Sequence, residues 1–178
     1  MSNTDIGQRF AAGGENELEE IINAYGEKLL RYASAILCDY HEAEDVVQDV
    51  FISAYQNRDG FDGCNLSAWL YKITYNRSMN QLKKRKLFYF IDIRSKAVLP
   101  AEDIGFSDEI LCALQKLKPK ERALIYGRIM EEQSYDELSL LTGSSPAALR
   151  KQYQRAKNKL AEYLTAGSYG KETKYEQI

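Results

Sequence analysis

One stretch, residues 134–164, constrains the fold most, because it has the pattern of two helices separated by a short turn. Ser134 followed by Glu137 forms a capping box, which predicts where the first helix begins. Gly143 predicts where that helix ends, because glycine adopts the left-handed conformation with little strain. Pro146 suits the first position of a second helix. Two helices joined by so short a turn predict a helix-turn-helix.

The second of these helices carries its positive charge away from a predicted buried face. At about 100° per residue, Leu149, Tyr153, Ala156 and Leu160 fall within one sector. Residues 149–160 contain five cations and no acid. A solvated helix usually mixes charges for i,i+4 pairing, whereas a run of like charges is stabilised by a polyanion. We therefore predict that this helix binds DNA, although a solvated basic face remains the simpler alternative.

Charge is divided unevenly along the 178-residue chain, although the net charge is only −2. Residues 1–70 contain thirteen acids against four Lys and Arg residues. Residues 71–91 contain six cations and no acid. The length allows one ordinary domain or two small ones. The separation of the charges indicates two different partners.

Several classes of protein are disfavoured by the sequence. No segment approaches the roughly 20 apolar residues of a membrane span, and the first residues lack the order of a signal peptide, so we expect a cytoplasmic protein without membrane insertion. The three cysteines form no C-x-x-C pair, which favours reduced thiols over disulfides. Cys38 and His41 are better explained as a buried thiol and a surface imidazole than as metal ligands. We predict no catalytic residue, cofactor or metal.

The apolar periodicity and the positions of the prolines predict an all-α chain with two small helical domains. The first domain is predicted at residues 15–90, with helices near 15–37, 41–57 and 67–87. The second, which contains the helix-turn-helix, is predicted at residues 107–166, with helices near 107–117, 119–131, 134–142 and 146–164. Residues 91–106 have the character of a flexible linker. The first dozen residues are expected to be mobile and residues 167–178 to form a disordered tail.

The helix predicted near residues 41–57 has an acidic face opposite a stripe of alanine and valine. Asp45, Gln48 and Asp49 lie on that face, and Ile52 projects from it. An apolar residue surrounded by acids is typical of a protein-binding patch, and the acids would repel DNA. A single exposed isoleucine can also be without function. Composition alone leaves both interpretations open.

The next segment, residues 61–86, combines a loop of turn-forming residues with a helix rich in aromatic and cationic side chains. On this helix Tyr71 and Tyr75 share a side with Lys72, and amide and arginine side chains follow. Rings can stack on bases, cations bind phosphates and amides bind base edges, so the segment suits a single-stranded nucleic acid. The alternative is that the tyrosines and Trp69 belong to the core and its rim.

Three motifs occur in a fixed order: the acidic helix AEDVVQDVF, a W-L-x-x-I-x-x-N-R helix, and SYDEL…TG…RAKNKL in the helix-turn-helix. Together they resemble the bacterial sigma-70 family, and in particular its extracytoplasmic-function (ECF) group. The resemblance covers roughly residues 25–86 and 114–164. It implies a sigma factor that binds core RNA polymerase, directs initiation at specific promoter DNA and has an anti-sigma factor as a further partner.

The resemblance also implies a role for each surface. The residues expected to bind polymerase are Asp45, Gln48, Asp49 and Ile52. Those expected to capture the melted −10 strand are the loop residues Phe61, Asp62, Gly63, Cys64 and Asn65 and the helix residues Trp69, Lys72, Asn76, Arg77, Asn80, Lys83 and Lys84, with the cationic run continuing to Lys86. Those expected to read the −35 duplex are Arg150, Lys151, Gln154 and Arg155, with Lys157 and Lys159 on phosphates.

Two other functions fit parts of the sequence. A helix-turn-helix regulator that acts without polymerase would explain the second domain but not the acidic patch or the strand-binding helix. A protein-binding adaptor would use its basic faces to meet acidic partners. Nucleic-acid binding should weaken steeply with salt, and binding of core polymerase separates a sigma factor from an independent regulator.

Overall fold

The structure is a computed structural model that describes residues 3–89 and 107–172, and over these residues the regular structure is entirely helical. The chain divides into two compact units, Met1–Ala97 and Val98–Ile178. The prediction of an all-α protein with two helical domains is therefore confirmed. The predicted linker, residues 91–106, lies outside the described residues. Within the described ranges, no helix has the length and apolar character needed to cross a membrane.

The helices of the first unit pack around one core. They are α1 (Asn3–Ala12), α2 (Glu15–Leu37), α3 (Tyr40–Gln56) and α4 (Leu66–Tyr89), with a short 3-10 turn at Arg58–Gly60. The Asp39 carboxylate caps α3 by accepting a hydrogen bond from the Glu42 amide at 3.1 Å. Helices α2, α3 and α4 pack against one another. Their fully buried side chains include Leu29, Tyr32, Ile36, Val50 and Leu70.

The prediction that the first dozen residues are mobile was wrong. These residues form α1 from Asn3 onwards, and Phe10 on this helix is 0% exposed. Arg9 forms an ion pair with Glu20, with 2.5 Å between Nη2 and Oε2, which ties α1 to α2. The segment is mostly polar, so its composition did not indicate that one aromatic side chain is buried. That buried ring anchors the short helix to the core.

The buried face of α4 also differs from the expected one. Tyr71 is 1% exposed and Tyr75 is 6% exposed. Tyr71 meets Tyr32 of α2 edge-on, with ring centroids 5.1 Å apart. Burial raises the pKa of the Tyr75 hydroxyl. The proposal that these two rings stack on bases was therefore wrong, because α2 and α3 cover the side of α4 that carries them.

The second unit contains four helices within residues 107–172: α5 (Asp108–Gln115), α6 (Pro119–Ile129), α7 (Tyr135–Thr142) and α8 (Pro146–Glu172). Helix α7 begins with the predicted capping box, in which the Glu137 amide donates to the Ser134 hydroxyl and the Ser134 amide donates to the Glu137 carboxylate. It ends at Gly143, whose φ is 74°. Leu138 and Leu149 pack with a leucine of α6 to form a core between the helices. The helix-turn-helix prediction is confirmed.

Helix α8 is longer than expected. It was predicted to end near residue 164, but it continues to Glu172 and includes the first residues of the predicted disordered tail. Gly167 and Gly170 do not end it, because a glycine inside a helix costs only about 1 kcal/mol relative to alanine. The remaining tail residues, 173–178, lie outside the described part of the chain.

Candidate protein and nucleic-acid interfaces

The four residues predicted to bind polymerase lie together on the exposed side of α3. Asp45, Gln48, Asp49 and Ile52 are all exposed, and Ile52 is 54% exposed. Their spacing of three and four residues places them on one face of the helix. The opposite face of α3 is buried against the core. We call these four residues the acidic patch.

An apolar groove of about 590 Å³ lies beside the acidic patch, between α2 and α3. Its apolar lining side chains are Leu18, Ile22 and Leu30 from α2 and Val47, Phe51, Ile52 and Tyr55 from α3. Gly26 also lines it. The contribution of α2 to this groove was not predicted from the sequence. The available signal was the i+4 series from Leu18 through Ile22 and Gly26 to Leu30, which forms a ridge with a gap at the glycine.

The acidic patch and the helix predicted to hold DNA are joined by one ion pair. The Arg77 guanidinium of α4 lies 3.1 Å from the Asp49 carboxylate of α3, measured from Nη1 to Oδ2. Both side chains remain partly exposed, so the pair adds little to stability. These two residues were predicted to lie on separate surfaces, and the structure brings them together.

The loop at residues 61–65, which we call the −10 loop after its predicted role, is held in one shape by its own side chains. The Asp62 carboxylate accepts a hydrogen bond from the Cys64 amide at 2.8 Å. The Asn65 side chain accepts one from the Ala68 amide at 3.1 Å and so caps α4. Gly63 and Asn65 have φ values of 77° and 45°. The exposed side chains of the loop are Asp62, Cys64 and Asn65.

Two predicted DNA-binding aromatics contact each other. The Phe61 ring stacks on the Trp69 ring, with centroids 4.7 Å apart and an angle of 20° between the planes. Phe61 is 7% exposed, and Trp69 is half-buried. These rings support the −10 loop from within, so Phe61 does not present an open face to a base.

The residues of α4 that were predicted to bind the melted strand lie mostly on the exposed side of the helix. Lys72, Asn76 and Asn80 are exposed and follow one another at intervals of four residues, and Lys83 and Lys84 are exposed beyond them. They form one stripe along the helix. Together with the exposed part of the −10 loop, this stripe offers hydrogen-bond donors and positive charge.

Arg85 differs from its neighbours in the cationic run because its side chain is paired with acids of the same unit. Its guanidinium forms an ion pair with Glu42 and lies 3.6 Å from the Asp39 carboxylate at the start of α3. Lys84 and Lys86 on either side are exposed. The run was expected to follow the DNA backbone as a whole, but Arg85 instead fastens the last part of α4 to α3.

The recognition helix α8 displays most of its predicted DNA-facing residues. Leu149 and Ala156 are buried in the unit. The exposed residues of the predicted −35 set are Arg150, Lys151, Gln154, Arg155 and Lys157. The Gln154 side chain donates a hydrogen bond to Asn158 at 3.0 Å. The separation of faces expected from the helical wheel is therefore present.

Lys159 is the exception in the −35 set, because it contacts an acid on α6. Its Nζ lies 2.6 Å from Oε1 of Glu121. This hydrogen bond raises the pKa of the Lys159 ammonium. Burial alone would raise the pKa of Glu121, but the hydrogen bonds from Lys159 and the Lys118 backbone outweigh it and lower that pKa. Lys159 thus links α8 to α6.

Arg150 is positioned by an aromatic ring of α7. Its guanidinium carbon lies 5.3 Å from the ring centroid of Tyr135, and that of Arg128 lies 4.7 Å from the same centroid. Tyr153 meets Tyr135 edge-on, with centroids 6.2 Å apart. Arg128 was not predicted from the sequence, because it precedes the helix-turn-helix and only the fold brings it to the same tyrosine ring as Arg150.

Family models and known proteins show which family this chain resembles over both units. The sigma-70 region 2 model matches residues 21–88, and the sigma-70 region 4 model matches residues 107–160. The ECF RNA polymerase sigma factor SigW of Bacillus subtilis (strain 168) is 27% identical over 170 residues, which cover 85% of this chain and 91% of SigW. The RNA polymerase sigma factor CarQ of Myxococcus xanthus is 26% identical over 164 residues, covering 88% and 94%.

Solved structures show the same likeness. CnrH, in complex with the cytosolic domain of CnrY, has a TM-score of 0.71 and 25% identity, covering 92% of this chain and 97% of CnrH. The sigma factor RpoE, in complex with the anti-sigma factor NepR from Bartonella quintana, has a TM-score of 0.73 and 27% identity, covering 85% and 98%. The two family models together take in more than half of the chain, which therefore belongs to the sigma-70 family, in its ECF group.

Proposed function

We propose that this protein directs core RNA polymerase to specific promoters, using the first unit to bind polymerase and the melted −10 strand and the second to bind the −35 duplex. The observation that carries this proposal is the combination on one chain of a groove with an acidic border, a polar strand-binding face and a separate helix-turn-helix. A regulator acting without polymerase has no use for the first two features. The protein would act in the cytoplasm, as the sequence led us to expect.

The groove and the acidic patch are proposed as the polymerase-binding surface. A partner helix with an apolar ridge would bury that ridge in the groove between α2 and α3. Cations beside the ridge would meet Asp45 and Asp49, while the same acids would repel DNA. An anti-sigma factor is a further proposed partner, because the structural neighbour RpoE is described as a sigma factor in complex with the anti-sigma factor NepR, and CnrH is likewise in complex with another protein, the cytosolic domain of CnrY.

The −10 loop and the polar stripe of α4 are proposed to hold the unpaired strand. Extracting a base from the stack costs a few kcal/mol, which hydrogen bonds and phosphate contacts can supply without any catalytic residue. The exposed lysines of α4 provide the charge, and Asn76 and Asn80 provide amide groups for base edges. On this account the protein is an initiation factor and not an enzyme.

Helix α8 is proposed to enter the major groove of the −35 duplex. Arg150 and Gln154 are exposed at positions from which each could make two hydrogen bonds to one base. Lys151 and Arg155 are proposed to take part in reading the −35 element in the same groove, and Lys157 is proposed to contact a phosphate. Because Lys159 is held by Glu121, its proposed phosphate contact would require that ion pair to open.

In-vitro transcription tests the proposal directly. Purified protein and core RNA polymerase of the same bacterium are incubated with fragmented genomic DNA, and the RNA 5′ ends are sequenced. We expect initiation to concentrate at a few sites that share −35 and −10 sequences. A double variant, Arg150→Ala with Gln154→Ala, should still bind core polymerase but lose the −35 preference. Initiation as dispersed as that of core polymerase alone would refute the function.

A further inference from the structure

Helix α1 lies outside the region 2 family match, which begins at residue 21, yet it packs against the −10 loop and α4. The docking involves the backbone of the loop and the rings beneath it.

The closest approach joins Gly7 of α1 to Gly63 of the −10 loop. A methyl group placed on Gly7 would lie 2.8 Å from the Gly63 carbonyl oxygen and 3.5 Å from the Leu66 Cβ. A methyl group on Gly63 would lie 3.2 Å from the Gln8 Cγ, and the φ of Gly63 is 77°. The absence of a side chain at both positions lets the helix and the loop touch through their backbones.

A second contact joins α1 to the rings that support the loop. Phe10 is 0% exposed, and its ring centroid lies 6.4 Å from that of Trp69. Trp69 in turn stacks on Phe61, the first residue of the −10 loop. A displacement of Phe10 would therefore reach the loop through two successive ring contacts.

Helix α1 is itself fastened to the rest of the unit. Arg9 pairs with Glu20 of α2. The Arg58 side chain of the 3-10 turn donates a hydrogen bond from Nε to the Gly13 carbonyl at 3.1 Å, just after α1. Both contacts follow Gly7 in the chain, so the end of α1 that lies beyond the loop contact is fastened to α2 and to the 3-10 turn.

We propose that α1 is a brace that sets the position of the −10 loop, with Gly7 and Phe10 as positioning residues for base selection in the melted strand. This inference rests on the proposed function of the loop. The brace keeps Asp62, Cys64 and Asn65 at a fixed distance from the polar stripe of α4. A base that enters between the loop and the stripe therefore contacts these side chains in a single arrangement. Loosening the contact between α1 and the loop should reduce the preference for one base over the others, while binding to polymerase and to the −35 element is unchanged.

Gly7→Ala is the sharpest test, because it adds one methyl group where the backbones touch. Alanine has a higher helix propensity than glycine, so α1 itself should not be weakened. Gly60→Ala is the matched control. It adds the same methyl group one residue before the loop, at a position where nothing lies within 4 Å. Phe10→Leu is a second variant that keeps an apolar side chain and removes the ring.

Trp69 is the single tryptophan of the chain, so its fluorescence reports on the brace directly. In Gly7→Ala and Phe10→Leu we expect emission shifted to longer wavelength and stronger quenching by acrylamide, with helical circular dichroism unchanged. Gly60→Ala should match the wild type. Unchanged Trp69 fluorescence in both α1 variants would overturn the brace.

Base selection is measured on reconstituted holoenzyme with a pool of forked duplexes whose single-stranded −10 segment is randomised. The retained DNA is sequenced, and core binding is measured in parallel. In Gly7→Ala we expect the preference for the favoured base at the captured position to fall by about fivefold or more, the lower end of the usual cost of one wrong base. Core affinity should be unchanged, and Gly60→Ala should select as the wild type does.

The outcomes separate this inference from the function on which it rests. If wild-type holoenzyme shows no base preference in the single-stranded segment, the proposed role of the −10 loop fails. If the wild type shows a preference and Gly7→Ala retains it, only the brace fails. Equal losses of base preference and core affinity in Gly7→Ala would mean general damage to the unit, and would also overturn the positioning role.

Discussion

The two DNA-facing regions of this protein are built in different ways. In the second unit, one helix carries the proposed DNA contacts, and its exposed and buried positions follow from a helical wheel. In the first unit, the −10 loop, α4 and α1 meet at one place, and several side chains of the expected site are used to hold it together. A site on one helix depends mainly on helical periodicity, whereas a site assembled from separate segments depends on which side chains their packing buries.

The largest predicted effect tests whether two helices of the first unit, α2 and α3, together form the polymerase-binding groove. Ile22→Glu on α2 should weaken core polymerase binding by about 2 kcal/mol or more, as Ile52→Glu on α3 should, because both side chains line the groove and a charge there would lose its hydration. Titration of labelled protein with core polymerase measures the change. Leu87→Glu, at an exposed leucine of α4 outside the groove, is the control. Wild-type affinity in Ile22→Glu would show that α3 alone suffices.

The next effect tests the single-helix site. Arg150→Ala or Gln154→Ala should each change the preference at one or two base pairs of the −35 element, at a cost of about 1–3 kcal/mol for the preferred base. Holoenzyme binding to a library of duplexes with a randomised −35 element measures this. Equal weakening on every sequence would mean that these side chains contact only phosphates.

A smaller effect distinguishes two lysines of α8, because Lys157 is exposed and Lys159 pairs with an acid of α6. Lys157→Ala should reduce the slope of log K against log salt by about 1, as expected for the loss of one phosphate contact. Lys159→Ala should leave that slope unchanged and lower the Tm of the second unit, because Lys159 pairs with Glu121. Salt titration and thermal unfolding measure the two effects. A slope reduced equally by both changes would assign both lysines to DNA.

The same ion pair predicts a pH dependence of stability. The pKa of Glu121 is lowered in the folded state, so its contribution is present above the unfolded value, 4.5, and is lost as pH falls through the folded value. The pKa of Lys159 is raised, so its contribution is present below 10.5 and is lost as pH rises through the folded value. The Tm difference between wild type and Lys159→Ala should therefore be largest between these limits and shrink beyond both. A difference independent of pH would contradict this assignment.

The smallest effect concerns the contact between the two surfaces of the first unit. A double-mutant cycle of Asp49→Asn and Arg77→Gln should give a coupling energy of at most about 1 kcal/mol for folding, because both side chains are partly exposed. Chemical unfolding of the four proteins measures it. A coupling well above this value would show that the acidic patch and α4 depend on each other for stability.

Particular residues show where sequence reasoning succeeded and where it failed. Ser134, Glu137 and Gly143 fixed the limits of α7, because capping depends on neighbouring residues alone. Tyr71 was misassigned because tyrosine suits both a core and a binding surface. Arg85 and Lys159 were grouped with exposed cations because their acidic partners lie 43 and 38 residues away in the chain.

The amino-acid sequence by itself determined the helices α2 to α8, the separation into acidic and basic regions, and the membership of the sigma-70 family, because these follow from periodicity, capping and local motifs. The tertiary structure alone decided that α1 is docked, that a groove lies between α2 and α3, and that Phe61 and Trp69 face each other. The physical reason is that burial and ion pairing depend on which distant segments meet, and local patterns do not contain that information.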